Sequence, residues 1–253
     1  MISISPGHWL PGTGAKDIID EVTEARKVAK RVTEILRATG IAVNYIEDNV
    51  SKSQAQNLTY LVSQHNKSTR QFDVSIHFNA SAGRQNRGIG TEVLYYDQQT
   101  LAAKVSKAMS SATGLIDRGA KQRKKLAFLA NTNKAAILLE VCFVNSTVDV
   151  AIYKRDFEKL CQAIANELAT AVGKSIKEQN VVTNEMKFSS PTLKAETETT
   201  LASKICRQII VDAAIDAGAN KSVWQKKLDD GTITDADLLG LSAKVVVGIN
   251  KKQ

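Results

Sequence analysis

Residues 135–142 read AAILLEVC, a nearly unbroken apolar run interrupted only by Glu140. A strand that is apolar at consecutive positions is covered on both faces, the condition of a central strand in a parallel sheet. Upstream, residues 72–79 read FDVSIHFN and alternate, with Phe72, Val74, Ile76 and Phe78 on one face and Asp73, Ser75, His77 and Asn79 on the other. Between 18 and 36, the residues Ile18, Val22, Ala25, Ala29, Val32 and Leu36 recur at three- and four-residue steps and Gly40 follows, which predicts a helix with its stop signal. Ile2 to Ser5 reads as a short strand broken at Pro6-Gly7. Further strands are expected at 41–46 and 92–96, and helices at 54–66, 101–112 and 157–172. This alternation predicts an α/β fold, a three-layer twisted, mainly parallel sheet with helices on both faces.

Periodicity lapses after Lys174, in SIKEQNVVTNEMKFSSP, so a linker is expected at 175–191 between a domain at 1–174 and a second at 192–253. In the latter, Leu201, Ile205, Ile209 and Ala213 repeat every fourth residue and Leu238, Leu241 and Val245 follow the turn DGTITDAD, which predicts a small, mainly helical unit. Met186 stands at the boundary, where it is either an internal translation start or an incidental linker residue.

The 253 residues carry 34 Lys and Arg against 26 Asp and Glu, a net charge of +8, so an anionic partner is expected. The charge is dispersed: residues 186–253 hold ten basic and eight acidic side chains, net +2, leaving +6 for the rest. With no basic arm and only 5% aromatic residues, nucleic acid is not the expected partner. Cys142, Cys161 and Cys206 stand far apart without CxxC spacing, which argues against both a disulfide framework and a cysteine metal site. The opening MISISPGH offers no basic-plus-apolar leader, and no apolar run approaches a membrane span, so a cytoplasmic product without membrane insertion is expected.

Three ionisable residues fall where strands end or helices begin: His8, Glu21 and His77. Two imidazoles and one carboxylate fill three corners of a zinc tetrahedron and leave the fourth for a water whose pKa falls to about 7. Separate elements can supply them because open α/β sheets gather their sites at the carboxyl ends of strands. At roughly 100° per residue, Glu21 lies roughly 60° from the centre of the apolar stripe, Glu24 roughly 120° and Asp20 roughly 160°, so Glu21 leans toward the sheet. The competing account of Glu21 is a preference for the positive end of the helix dipole. Glu140, embedded in apolar sequence, is either a general base with a raised pKa or half of a buried ion pair with Arg118 or Lys121. Cys142 is expected to pack as a small hydrophobe rather than bind metal, and His65 to act structurally near a helix C-terminus. Asn79 could orient a ligand or donate to a substrate carbonyl, and Arg118 could hold an acidic substrate group; a turn former and an exposed basic loop are the alternatives.

SPGH, the helix IIDEVTEARKVAKRVTEILRATG, SIHFNAS, GTEVLYY, the loop DRGAK with LAFL, and ILLEVCFVN together resemble type 3 N-acetylmuramoyl-L-alanine amidases, most nearly the catalytic domains of endolysins from phages of Gram-positive bacteria. The resemblance covers residues 2–173. It implies Zn2+ on His8, Glu21 and His77, Glu140 as the catalytic glutamate, and cleavage of the amide between N-acetylmuramic acid and L-alanine in peptidoglycan. It also implies release from a host cytoplasm, through a holin, to reach the wall. Trp9 and Leu10 depart from the small or polar residues frequent after the first histidine, so the resemblance does not fix the shape of the site mouth. For residues 192–253 the expectation is cell-wall binding, including anionic wall polymers, or homo-oligomerisation. Two rivals use the same observations: a zinc carboxypeptidase-like peptidase, and a non-enzymatic basic binding protein that would hold no metal.

Overall fold

The computed structural model describes residues 1–176, 201 and 203–250. The chain divides into two compact units, 1–177 and 178–253. Most of the expected linker, Met186 included, lies outside the described residues.

The first unit is built on six strands: β1 (Ile2–Pro6), β2 (Val43–Tyr45), β3 (Phe72–Asn79), β4 (Thr91–Tyr95), β5 (Asp117–Gln122) and β6 (Ala135–Phe143). They form one sheet in the order β2-β1-β3-β6-β4-β5. All neighbours are parallel except β4 and β6. The apolar run at 135–142 thus lies between β3 and β4, where covering on both faces was expected of it.

Helices α1 (Glu21–Ala38), α3 (Gln99–Thr113) and α6 (Phe157–Ala171) pack together on one face. There Ile4, Val74, Ile76, Val93, Ile137 and Leu139 meet Ala25, Val28, Val32, Val105, Ile164 and Leu168 in one buried cluster. The opposite face takes α2 (Gln54–Lys67) and the short α4 (Ala127–Asn131), whose Phe128 and Leu129 cover Leu94, Ala136 and Leu138. A further helix, α5 (Thr147–Arg155), capped by Ser146, precedes α6 and packs against β6.

Under α2 the packing is polar. His65, wholly buried, pairs through Nδ1 with Asp73 Oδ1 at 2.7 Å and through Nε2 with Ser5 Oγ at 3.0 Å. Arg70 grips both Asp73 oxygens, Nε at 2.6 Å and Nη2 at 2.7 Å. Serine, histidine and aspartate stand in the order of a hydrolytic triad, but all three are 0% exposed, so substrate has no access and the cluster ties α2 to β1 and β3. The sequence placed His65 in a structural role near a helix C-terminus, and the structure shows that role to be a buried one. His65→Ala will leave Ser5 unpaired and open a void, lowering stability by about 2–4 kcal/mol in urea unfolding. An unchanged midpoint would contradict this account.

Three expectations are corrected. The helix predicted from Ile18 begins at Glu21, because Asp20 is its N-cap and accepts from Thr23 N at 3.0 Å. The loop DRGAK is the edge strand β5; its charges and Gly119, at φ 74°, hide it from an apolar-pattern reading yet suit an exposed edge. In the second unit, α7 (Lys204–Asp216), α8 (Lys221–Asp229) and α9 (Asp235–Asn250) enclose Val211, Ala214, Ile233, Leu238 and Leu241. The expected stripe is not the buried face, since Ile205 and Ile209 are 72% and 60% exposed. Helix α7 has two apolar faces, and packing against α9 uses the one running through Val211 and Ala214.

Candidate metal centre

His8 leaves β1 through Gly7, whose N–H donates to Ile76 O at 2.8 Å. A Cβ on Gly7 would lie 2.1 Å from His77 Cε1, so only glycine lets β1 pass so near that ring. His8 has φ 61°, the one non-glycine residue in the left-handed region among the described residues. Such a conformation costs roughly 1–3 kcal/mol and persists only where its surroundings enforce it.

Glu21, the first residue of α1, is 3% exposed and points at both histidines. Its Oε2 lies 3.2 Å from His8 Nε2, and its Oε1 lies 2.9 Å from His77 Nδ1. The same oxygens accept from Ala15 N at 2.7 Å and Phe78 N at 3.1 Å. Gly14 makes room for this, since a Cβ there would stand 2.6 Å from Glu21 Oε2 and 2.7 Å from His8 Cδ2. Burial would push the Glu21 carboxyl upward, but hydrogen bonds from His77 and His8 and their charges outweigh it and hold the group well below the usual carboxylate range. One ligand atom from each of the three residues falls within 4.8 Å of the others. Two ring nitrogens and an ionised oxygen, converging in a cradle cleared by two glycines, fit a divalent zinc-type ion.

Glu24 also turns inward, but toward α5, where Tyr153 Oη donates to it at 2.8 Å. It does not join the centre. Its angle of roughly 120° from the stripe centre gave no sign of this burial, which comes with Tyr153 of α5.

Glu140 on β6 stands in register with His77 on β3 and with Glu92 on β4. Its Oε2 is buried without a hydrogen-bond partner among the described residues. Burial, reinforced by the negative charges of Glu21 and Glu92, pushes its carboxyl up to about 8. The ion pair considered for it is absent among the described residues, because Arg118 Nε binds Glu92 Oε2 instead, at 2.7 Å. Asn79 Nδ2 takes the other Glu92 oxygen at 3.2 Å, and the Arg118 guanidinium lies 5.1 Å from the centre of the Phe143 ring. Asn79 and Arg118 are therefore held together beside Glu140 by a residue the sequence reading passed over. The signal was available: Glu92, 5% exposed, is a carboxylate inside the apolar strand EVLYY, the same anomaly that singled out Glu140.

Cys142 is wholly buried in the main core, its thiol pushed up by burial and by Asp149 and Glu24, and it packs as a hydrophobe. The β3–β6 pairing skips a residue between His77 and Asn79, which turns Cys142 into the core instead of leaving it on the face of Glu140.

Comparison with known proteins identifies the family and the fold of the first unit. An uncharacterized protein of Clostridium perfringens is 32% identical over 185 residues, 71% of this chain, and a 38.4 kDa uncharacterized protein of the same species is 31% identical over 185 residues. The chain spans about half the length of these curated relatives, 53% and 52%. Among solved structures, the catalytic domain of the CD27L endolysin targeting Clostridia difficile superposes with a TM-score of 0.61 at 24% identity, covering 69% of this chain and 98% of that one. The catalytic domain of CwlV, an N-acetylmuramoyl-L-alanine amidase from Paenibacillus polymyxa, gives 0.57 at 26% identity, covering 68% and 98%. Residues 2–174 match the Amidase_3 family, N-acetylmuramoyl-L-alanine amidase, and the chain belongs to that family.

Proposed function

We propose that the protein is a peptidoglycan hydrolase that cleaves the amide between N-acetylmuramic acid and L-alanine, with zinc held by His8, Glu21 and His77 and with Glu140 as general base. The observation that carries this reading is the unpartnered Oε2 of Glu140, set in register beside His77 and the converging ligand trio. When bound, zinc supplies Lewis acidity, acidifying water and polarising a carbonyl oxygen. Glu21 is fixed by two backbone N–H groups, so its carboxylate stays charged and aimed at both imidazoles. As a carboxylate, the form that the positive charge of a bound zinc would favour, Glu140 can take a proton from the attacking water and return it to the leaving amine of L-alanine. Asn79 and Arg118, tethered by Glu92 at the rim, would donate to the peptide part of the substrate, Arg118 through its terminal Nη groups.

Digestion of a defined muropeptide tests the reaction. Free lactyl-linked glycan and a peptide with a new L-alanine amino terminus are expected; a peptide shortened from its carboxyl end would overturn the reading in favour of a carboxypeptidase. Metal analysis of protein purified without added zinc should return one zinc per chain.

We further propose that the enzyme acts on the wall after release from a bacterial host cytoplasm through a holin, as the endolysin likeness suggests. No helix among the described residues is long and apolar enough to cross a membrane. The second unit is read as a binding module for the wall and its anionic polymers, or as a self-association module; the exposed Ile205 and Ile209 support a partner-contacting face. Fragment 1–174 should hydrolyse soluble muropeptides at near the full-length rate. On intact walls it should act about tenfold or more weakly, since a tethered second site raises effective concentration. Equal activity on walls, together with failure of fragment 186–253 to decorate them, would remove the targeting role.

A further inference from the structure

The left-handed conformation of His8 needs a cause. Asn57, on α2, is 3% exposed and contributes nothing to the metal trio, yet its Nδ2 donates to His8 O at 3.1 Å. The same amide nitrogen donates to Asp48 Oδ2 at 2.8 Å. Asp48, 1% exposed, is itself immobilised, its Oδ1 accepting from Val50 N at 2.9 Å and Ser51 N at 3.0 Å. On the next residue, the Trp9 carbonyl accepts from Arg26 Nη2, which also reaches Asp48 O at 3.0 Å and Asn49 Oδ1 at 3.0 Å. The carbonyls on both sides of the His8–Trp9 junction are thus anchored to one rigid corner formed by residues 48–57.

We propose that Asn57 is a positioning residue for His8, holding its carbonyl so that the backbone stays at positive φ and the imidazole stays on Glu21. The inference rests on the zinc role of His8 proposed above. Without the Asn57 amide, His8 is free to relax toward the ordinary negative-φ regions, where its ring no longer points along the line to Glu21 Oε2. The competing account is that Asn57 and Asp48 merely close the connection between β2 and α2. The two differ in what they predict for the metal: a loop-closing bond affects stability alone, whereas an orienting bond affects zinc affinity, as outer partners of metal ligands do by about 10–100-fold.

Zinc affinity by chelator competition, with the thermal midpoint of the metal-free protein alongside, decides between them for wild type, Asn57→Ala, Asn57→Ser, His8→Ala and the exposed-face control Thr59→Ala. Asn57→Ala should weaken zinc binding about 10–100-fold, Asn57→Ser should recover part of the loss through its hydroxyl donor, and Thr59→Ala should match wild type. Zinc affinity within twofold of wild type in folded Asn57→Ala would overturn the proposal, whatever its thermal midpoint; Asn57→Ser serves if the alanine variant does not fold. If His8→Ala keeps wild-type affinity, the ligand assignment itself fails and the role of Asn57 falls with it. If His8→Ala loses zinc while both Asn57 variants keep it, only the positioning role is lost.

Discussion

Glu140→Gln will keep its fold and its zinc and lose about 10²–10⁴ in turnover on soluble muropeptide, the usual cost of removing a general base. Glutamine fills the same volume and can hydrogen-bond, but it cannot accept a proton. Near wild-type turnover would reduce Glu140 to a structural residue. The same variant carries a second expectation, for metal-free protein. The Glu140 carboxyl is lifted from 4.5 to about 8 by burial and by Glu21 and Glu92. Below pH 4.5 it is protonated whether the chain is folded or not, so it costs nothing. As pH rises from there toward 8, the unfolded chain releases its proton while the folded chain holds it, and folded stability is lost across that window. Glu140→Gln escapes this loss, so its thermal midpoint relative to wild type should be higher at pH 9 than at pH 5. A difference independent of pH would mean that the carboxyl is not strained by its surroundings.

His8→Ala and His77→Ala should each abolish zinc retention through gel filtration and reduce lysis by about 10³ or more, since several kcal/mol of charge stabilisation leaves with the ion and each 1.36 kcal/mol is worth a factor of ten. Full metal occupancy in either variant would sink the ligand assignment. Glu24→Ala is the informative comparison. It removes the partner of Tyr153 and of Lys27, so some stability is lost, but zinc should remain. Should Glu24→Ala lose zinc while Glu21→Ala retains it, the carboxylate that contacts both histidines is not the ligand.

Legibility followed burial pattern. Residues 135–142 and 72–79 declared a central strand and its neighbour because both carry long apolar faces, and α1 declared itself by helical spacing. These three elements carry Glu140, His77 and Glu21. Strand β5 was missed because an edge strand buries little: Asp117, Arg118 and Gln122 are exposed, and its shape comes from pairing with β4. Helix α5 was missed because Val148, Val150 and Tyr153 are too few to make a stripe, and its start is set by the Ser146 cap. Glu92 escaped because its meaning depends on partners from two other strands, Asn79 and Arg118, whose convergence no local pattern records. On α7 the stripe was visible but duplicated, and only tertiary packing chooses between two apolar faces.

The strand order has a consequence for synthesis. Strand β6 sits between β3 and β4 although it is the last of the six to leave the ribosome. Until residues 135–143 exist, β3 and β4 each present an unpaired edge, and two half-sheets cannot join. His8, Glu21 and His77 are all translated within the first 80 residues, but β6, which pairs with the strand of His77, and the glutamate on it arrive about 60 residues later. Non-local closure of this kind is slow compared with local pairing. The nascent chain therefore passes through a stage with the three proposed metal ligands made and the proposed general base still missing. Chains released before residue 135 should consequently be aggregation-prone and inert, and competence should appear as a single step once the central strand is inserted.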